Sequence, residues 1–180
     1  TVRVEDGQAV LGGTVPSFAA KRAAENDAWS VSGISSVSNQ LNVKYPRPTP
    51  TDLDVQSNVE STLLWSSVID SAKIEVAVAG GVVTLRGTVP SYWQRLQAQT
   101  LAEDVLGVFE VINELTVVPT ESVLDEDIAR QIMRAFERNV LINEDRVTVA
   151  VENGKVTLTG NVLTWSARNE ARNIAAAVPG

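Results

Sequence analysis

The residues with the clearest chemical potential recur three times in one setting. An aromatic side chain is followed three positions later by a cation at Phe18/Lys21, Tyr92/Arg95 and Trp165/Arg168. At that spacing ring and cation lie on neighbouring turns of a helix and meet. Two uses fit the pairing. At a membrane interface the ring enters the headgroup layer while the cation takes a lipid phosphate. Within a folded module the ring covers the end of the core and the cation stacks on it. Trp93, beside Tyr92, favours an exposed surface in the middle case, because adjacent helical residues do not both face a core.

Other constellations point to less chemistry. Asp52-x-Asp54-x-Gln56-x-Asn58 mimics the opening of a calcium loop, but the central glycine is missing and Leu63 stands where the bidentate glutamate belongs. Asp125-Glu126-Asp127 reads as negative charge at a helix start, which the helix dipole favours. Gly80-Gly81 and Gly12-Gly13 are followed by neither a Walker lysine nor Rossmann spacing. The chain has no His and no Cys. This removes Ser-His-Asp catalysis, imidazole zinc sites, disulfides and thiolate nucleophiles. No catalytic residue, metal ligand or cofactor is assigned.

The elements that position these residues follow from an internal repeat. Displacing the chain by 74 residues aligns Val2–Val43 with Val76–Val117 without a gap, with 17 of 42 positions identical. Displacing it by 73 aligns Asp54–Gly107 with Asp127–Gly180, with 16 of 54 identical. The chain is three copies of one module. The expected boundaries are 1–44, 52–118 and 122–180, joined by a proline-rich linker at 45–51 and a short one at 119–121. The first copy lacks the leading helix and the third lacks the last strand. The expectation is a natural protein longer at both ends.

The complete copy reads as α-β-β-α-β. Val55, Val59 and Leu63 recur on one helical face, as do Ile128, Ile132 and Phe136. Asp52 and Ser122 are candidate caps for these helices. Ile74, Val76 and Val78 alternate as a half-buried strand does. The pairs Asp6-Gly7, Gly80-Gly81 and Asn153-Gly154 are the residues of a tight type I′ hairpin turn. Ser17, Ser91 and Thr164 stand at N-cap positions of the second helix. A hairpin followed by a right-handed β-α-β crossover gives a mixed sheet. The fold class expected is α+β, in tandem αββαβ modules, each a three-stranded mixed sheet with two helices on one face.

Charge limits the partners. The 180 residues are 44% apolar and 21% charged with a net charge of −7, which argues against nucleic acid as a partner. No apolar run approaches the roughly 18 residues of a membrane span, and no signal peptide is visible, Thr1 reading as part of a strand. The charge is uneven: +1 over 1–50, −6 over 51–120 and −2 over 121–180. An acidic middle module is a poor partner for anionic lipid. The first copy, or the Arg130/Arg134/Arg138 stripe of the third, is better placed electrostatically.

Val83-Thr84-Leu85-x-Gly87-x-Val89, Gly107-Val108 and Val111-x-Asn113-x-Leu115 together resemble the BON domain, the family named for bacterial OsmY and nodulation proteins. Val156–Val162 carry the likeness in the third copy and Val37-x-Asn39-x-Leu41 in the first, where the strand Ala9–Val15 lacks the usual threonine. The resemblance implies a non-enzymatic bacterial protein of the periplasm or cell envelope, or of osmotic stress, that binds phospholipid or membrane surfaces. On that reading Phe18, Lys21, Tyr92, Trp93, Arg95, Trp165 and Arg168 are the lipid-binding candidates. The alternatives are a scaffold for protein partners or self-association, a small-ligand or ion-binding module, and a cytoplasmic location.

Overall fold

The computed structural model describes residues 1–45, 48–119 and 123–180. The first module contains β1 (Val2–Glu5), β2 (Gln8–Val15), α1 (Phe18–Ser30) and β3 (Ser36–Val43). The second contains α2 (Asp52–Trp65), β4 (Ile74–Ala79), β5 (Val82–Val89), α3 (Tyr92–Glu103) and β6 (Glu110–Val117). The third contains α4 (Asp125–Glu137), β7 (Val147–Glu152), β8 (Lys155–Gly160) and α5 (Trp165–Ala177).

Turn chemistry sets the hairpins. The central pairs have φ of 47° and 78° at Asp6-Gly7, 59° and 75° at Gly80-Gly81, and 52° and 74° at Asn153-Gly154. These are the paired left-handed conformations that match the twist of antiparallel strands. The helix after each hairpin returns the chain, so that β3 lies parallel to β2 and β6 parallel to β5. The sheets run β1-β2-β3, β4-β5-β6 and β7-β8.

Burial follows the sequence periodicity. Val55, Val59 and Leu63 of α2 and Ala98 and Ala102 of α3 share one core with Val76, Val83, Leu85 and Leu115. Both helices of the middle module therefore cover the same sheet face, and the alanines bring α3 close to it. The opposite face is solvated, with Arg86 and Glu114 paired across β5 and β6 at 2.7 Å. A second core gathers Ile128, Ile132 and Phe136 of α4 with Ile142, Val147 and Ala171. In the first module a single helix is present. There Val2 and Val4 are 66% and 57% exposed, whereas their counterparts under α2 are covered, Val76 at 6% exposure and Val78 half-buried.

The capping of α2 differs from expectation. Thr51, not Asp52, is the N-cap: its hydroxyl accepts from the Asp54 N–H at 3.2 Å and its own N–H donates to the Asp54 carboxylate at 2.9 Å. This is a reciprocal capping box with Asp in place of Glu. Asp52 instead accepts from the turn N–H groups of Gly80 and Gly81 at 2.8 and 2.9 Å. Asp125 does the same for Asn153 and Gly154 at 2.7 and 2.9 Å. A side chain at the start of the first helix thus ties down the hairpin 28 residues later. Ser122, like Thr120 and Glu121 of the second linker, lies outside the described residues.

The chain forms two compact units, residues 1–89 with 94–117, and residues 90–93 with 118–180. Apart from residues 90–93, the elements of the first two modules belong to one unit.

Candidate functional site

The three helix starts serve different ends. Ser17 and Thr164 cap α1 and α5, each hydroxyl accepting an N–H at 3.1 Å from Ala20 and Ala167 respectively. Phe18 is half-buried, and its N–H donates to the Tyr45 hydroxyl at 3.4 Å. Lys21 is half-buried, and its carbonyl accepts from the Asn39 amide at 2.9 Å. Tyr92 and Trp93 are 43% and 37% exposed. Arg95 is turned inward: its guanidinium donates to the Asn113 carbonyl at 2.9 Å. Trp165 is half-buried and Arg168 exposed.

Asn113 explains its place in the repeat. Its amide donates to the Arg95 carbonyl at 2.9 Å and to Gln99 at 3.3 Å, while its oxygen accepts from Leu115 N–H at 3.2 Å. Asn39 repeats this with the Lys21 carbonyl, Glu25 and Leu41. One asparagine satisfies its donors on the helix and its acceptor on the strand, which latches the last strand to the second helix.

Sequence reasoning missed the contact between the first two modules. Tyr45, expected to open the linker, is 5% exposed. Its hydroxyl donates to the Val108 carbonyl, and its ring meets Phe109 edge-on with centroids 5.1 Å apart. Arg22 of α1 reaches α3, pairing with Glu103 and, at 3.1 Å, with Asp104. Glu103 is buried and also accepts from Gln99 at 2.8 Å. The available signal was departure from the repeat: Arg22 aligns with Leu96, Tyr45 with Pro119, and Glu103 with Trp29 and Ala176.

Burial raises the Tyr45 phenol above its ordinary value, partly offset by the hydrogen bond from Phe18. The neutral phenol is therefore favoured by folding. Its contribution is complete below the unfolded value of about 10 and is lost as pH rises through the higher folded value. Tyr45→Phe should lower stability at pH 7 by about 1–3 kcal/mol, because the Val108 carbonyl loses its donor. The wild-type advantage should then shrink above about pH 10. Urea denaturation of both proteins from pH 7 to 11 measures this, and a constant difference would contradict it.

The most exposed aromatic side chain is elsewhere. Trp65, the last residue of α2, is 86% exposed. It lines an open hollow of about 520 Å³ with Leu101, Val105 and Leu106. Leu64 beside it and Leu106 are also exposed. Adjacent exposed apolar residues at a helix end form a contact surface rather than isolated exceptions. The carboxylates weighed for calcium have other tasks, Asp52 on the hairpin turn and Asp54 in the capping box. Among the described residues there is no cluster of three or more metal-ligating side chains, and no helix is long and apolar enough to cross a membrane.

The sequence is similar to those of known proteins. Osmotically-inducible protein Y of Escherichia coli is 32% identical over 120 residues, covering 64% of this chain and 60% of that protein. The chain thus matches about three fifths of that relative's length. Outer membrane lipoprotein DolP of Haemophilus influenzae is 34% identical over 143 residues, covering 75% of this chain and 74% of the lipoprotein. The C-terminal domain of CdsD, a structural protein of the type III secretion system of Chlamydia trachomatis, superposes with a TM-score of 0.29 at 15% identity, over 98% of this chain and 84% of that one, too loosely to inform the argument. The BON domain matches residues 1–45, 51–119 and 124–180. With the hairpin, the latching asparagine and the two-helix cover in place, the chain belongs to the BON domain family.

Proposed function

We propose that this is a non-enzymatic protein of the bacterial envelope, acting in osmotic stress, whose tandem modules hold phospholipid surfaces by weak multiple contacts. The names of its relatives, an osmotically inducible protein and an outer membrane lipoprotein, support the setting. The observation that carries the lipid reading is Trp65, 86% exposed at a helix end beside Leu64. Tryptophan favours the interfacial layer, where an apolar ring and a polar N–H are both accommodated. The helix-start residues Tyr92 and Trp93 add partly exposed rings to the same module. Lys21 and Arg168 supply cations, while Arg95 is held by β6 and contributes less.

The middle module carries −6, so its contact depends on apolar insertion rather than attraction to anionic headgroups. Linked modules multiply such weak contacts. Trp65→Ala should reduce co-sedimentation with phosphatidylcholine vesicles by about fivefold or more, the loss of one interfacial anchor of roughly 1–2 kcal/mol. Its thermal stability should stay within about 0.5 kcal/mol of wild type, because the side chain is exposed. Trp65→Ala binding as well as wild type would remove the basis of this reading.

A further inference from the structure

One hairpin turn differs from the others in its chemistry. All three turns share the paired positive φ, but only the third places an amide side chain directly before a glycine, at Asn153-Gly154. That pair can react with itself. The Gly154 backbone nitrogen, once it has lost its proton, attacks the side-chain carbonyl carbon of Asn153. The new N–C bond forms, the bond to the side-chain nitrogen breaks, and ammonia leaves carrying the proton. Water then opens the five-membered imide to aspartate or isoaspartate. Glycine has no side chain to hinder the attack. Asn153 is exposed, and its side-chain amide has no hydrogen-bond partner among the described residues.

The attacking atom, in contrast, is held. Gly154 N–H donates to one oxygen of the Asp125 carboxylate at 2.9 Å, and Asn153 N–H donates to the other at 2.7 Å. The hydrogen bond keeps the proton on the nitrogen, and the negative charge opposes the anion that must form there. The reaction therefore waits on release of the turn by Asp125. Asp125 opens α4, whose N-cap Leu124 offers no side-chain acceptor. The first turn of a helix is where opening costs least. The middle module has the same grip, Asp52 on Gly80 and Gly81, but there the turn carries no amide side chain and Thr51 caps the helix.

We propose that Asn153-Gly154 is a latent site of spontaneous covalent modification and that Asp125 keeps it closed. Lifting the first turn of α4 from the hairpin starts an irreversible change. Isoaspartate adds a backbone carbon to a turn that is set by two residues. Either product places a second carboxylate near Asp125, where like charges repel. The register from Val147 opposite Gly160 to Glu152 opposite Lys155 then loses its anchor. Val149, Val151, Val156 and Leu158 pack on the second core from these strands, so the modification weakens the second unit. The site is independent of the Trp65 surface and of any lipid contact.

The test ages the 180-residue protein in mildly alkaline buffer. Mass spectrometry follows the peptide spanning residues 147–155 for the mass gain of an amide becoming an acid. Native wild type should react at least about tenfold more slowly than the same protein unfolded in urea, the worth of a hydrogen bond to a charged group. Asp125→Ala should react at least about tenfold faster than wild type. Asp125→Asn, which keeps an acceptor without the charge, should fall between them and decides the matter if Asp125→Ala does not fold. Ile132→Val, a mild lesion of the same core away from the turn, should stay within about twofold of wild type. A native rate equal to that in urea, an Asp125→Asn rate equal to that of wild type, or an Ile132→Val rate matching that of Asp125→Asn would overturn the proposal.

Discussion

Gly87→Ala is expected to destabilise the first unit by about 3 kcal/mol or more. Gly87 sits inside β5 opposite Ile74 with φ of 126°, a conformation that side chains rarely adopt. A methyl group there would lie 1.9 Å from the Lys73 carbonyl oxygen. That oxygen is backbone at the entry to β4, so relief requires the hairpin itself to move. Strain and steric conflict therefore act together. Gly160 repeats the arrangement, with a methyl position 2.0 Å from the Arg146 carbonyl oxygen and φ of 141°. Gly12→Ala is the matched control. Gly12 has open space around its methyl position, and its counterpart in the repeat is Arg86, so a side chain is tolerated. The control should change stability by no more than about 0.5 kcal/mol. Urea unfolding of the three proteins decides the matter, and a Gly87→Ala protein as stable as the Gly12→Ala one would refute the steric account.

Phe136→Ala should be comparably severe in the second unit. Phe136 is fully buried against Ile128, Ile132, Ile142 and Val147. Removing its ring leaves a cavity at the centre of that core, with an expected loss of about 3–5 kcal/mol. A small unit has little reserve, since stabilities of whole domains are about 5–15 kcal/mol. Every residue of this core lies in the second unit. The variant should therefore show an early thermal transition for that unit, while a later transition, belonging to the first unit, keeps its wild-type midpoint. Calorimetry separates the two. A single unshifted transition would show that the ring contributes little, and a uniform shift of both would show that the units fold as one.

Much of this architecture was legible because it is written in local patterns. Valine alternation, the Asp-Gly, Gly-Gly and Asn-Gly pairs and the 74- and 73-residue offsets depend only on neighbouring residues and on comparison of the chain with itself. They determined the αββαβ order, the positive φ values of the turns and the identity of the core face. The BON resemblance rested on the same residues and held across the three modules.

The roles of single polar residues were decided elsewhere. Asp52 reads as a helix cap from its position, yet the fold brings the Gly80-Gly81 amides to it and Thr51 caps instead. Arg95 reads as a lipid-facing cation, yet β6 presents a carbonyl that holds it inward. Tyr45 reads as linker, yet Val108, 63 residues away, accepts its hydroxyl proton. In each case the alternatives available to the isolated segment differ little in energy, because solvent satisfies a polar side chain about as well as a protein partner does. Burial removes the solvent, and the partner that packing happens to supply then determines the role. Apolar periodicity carries its own destination, whereas a polar side chain acquires one only when the tertiary structure places a specific donor, acceptor or charge within reach.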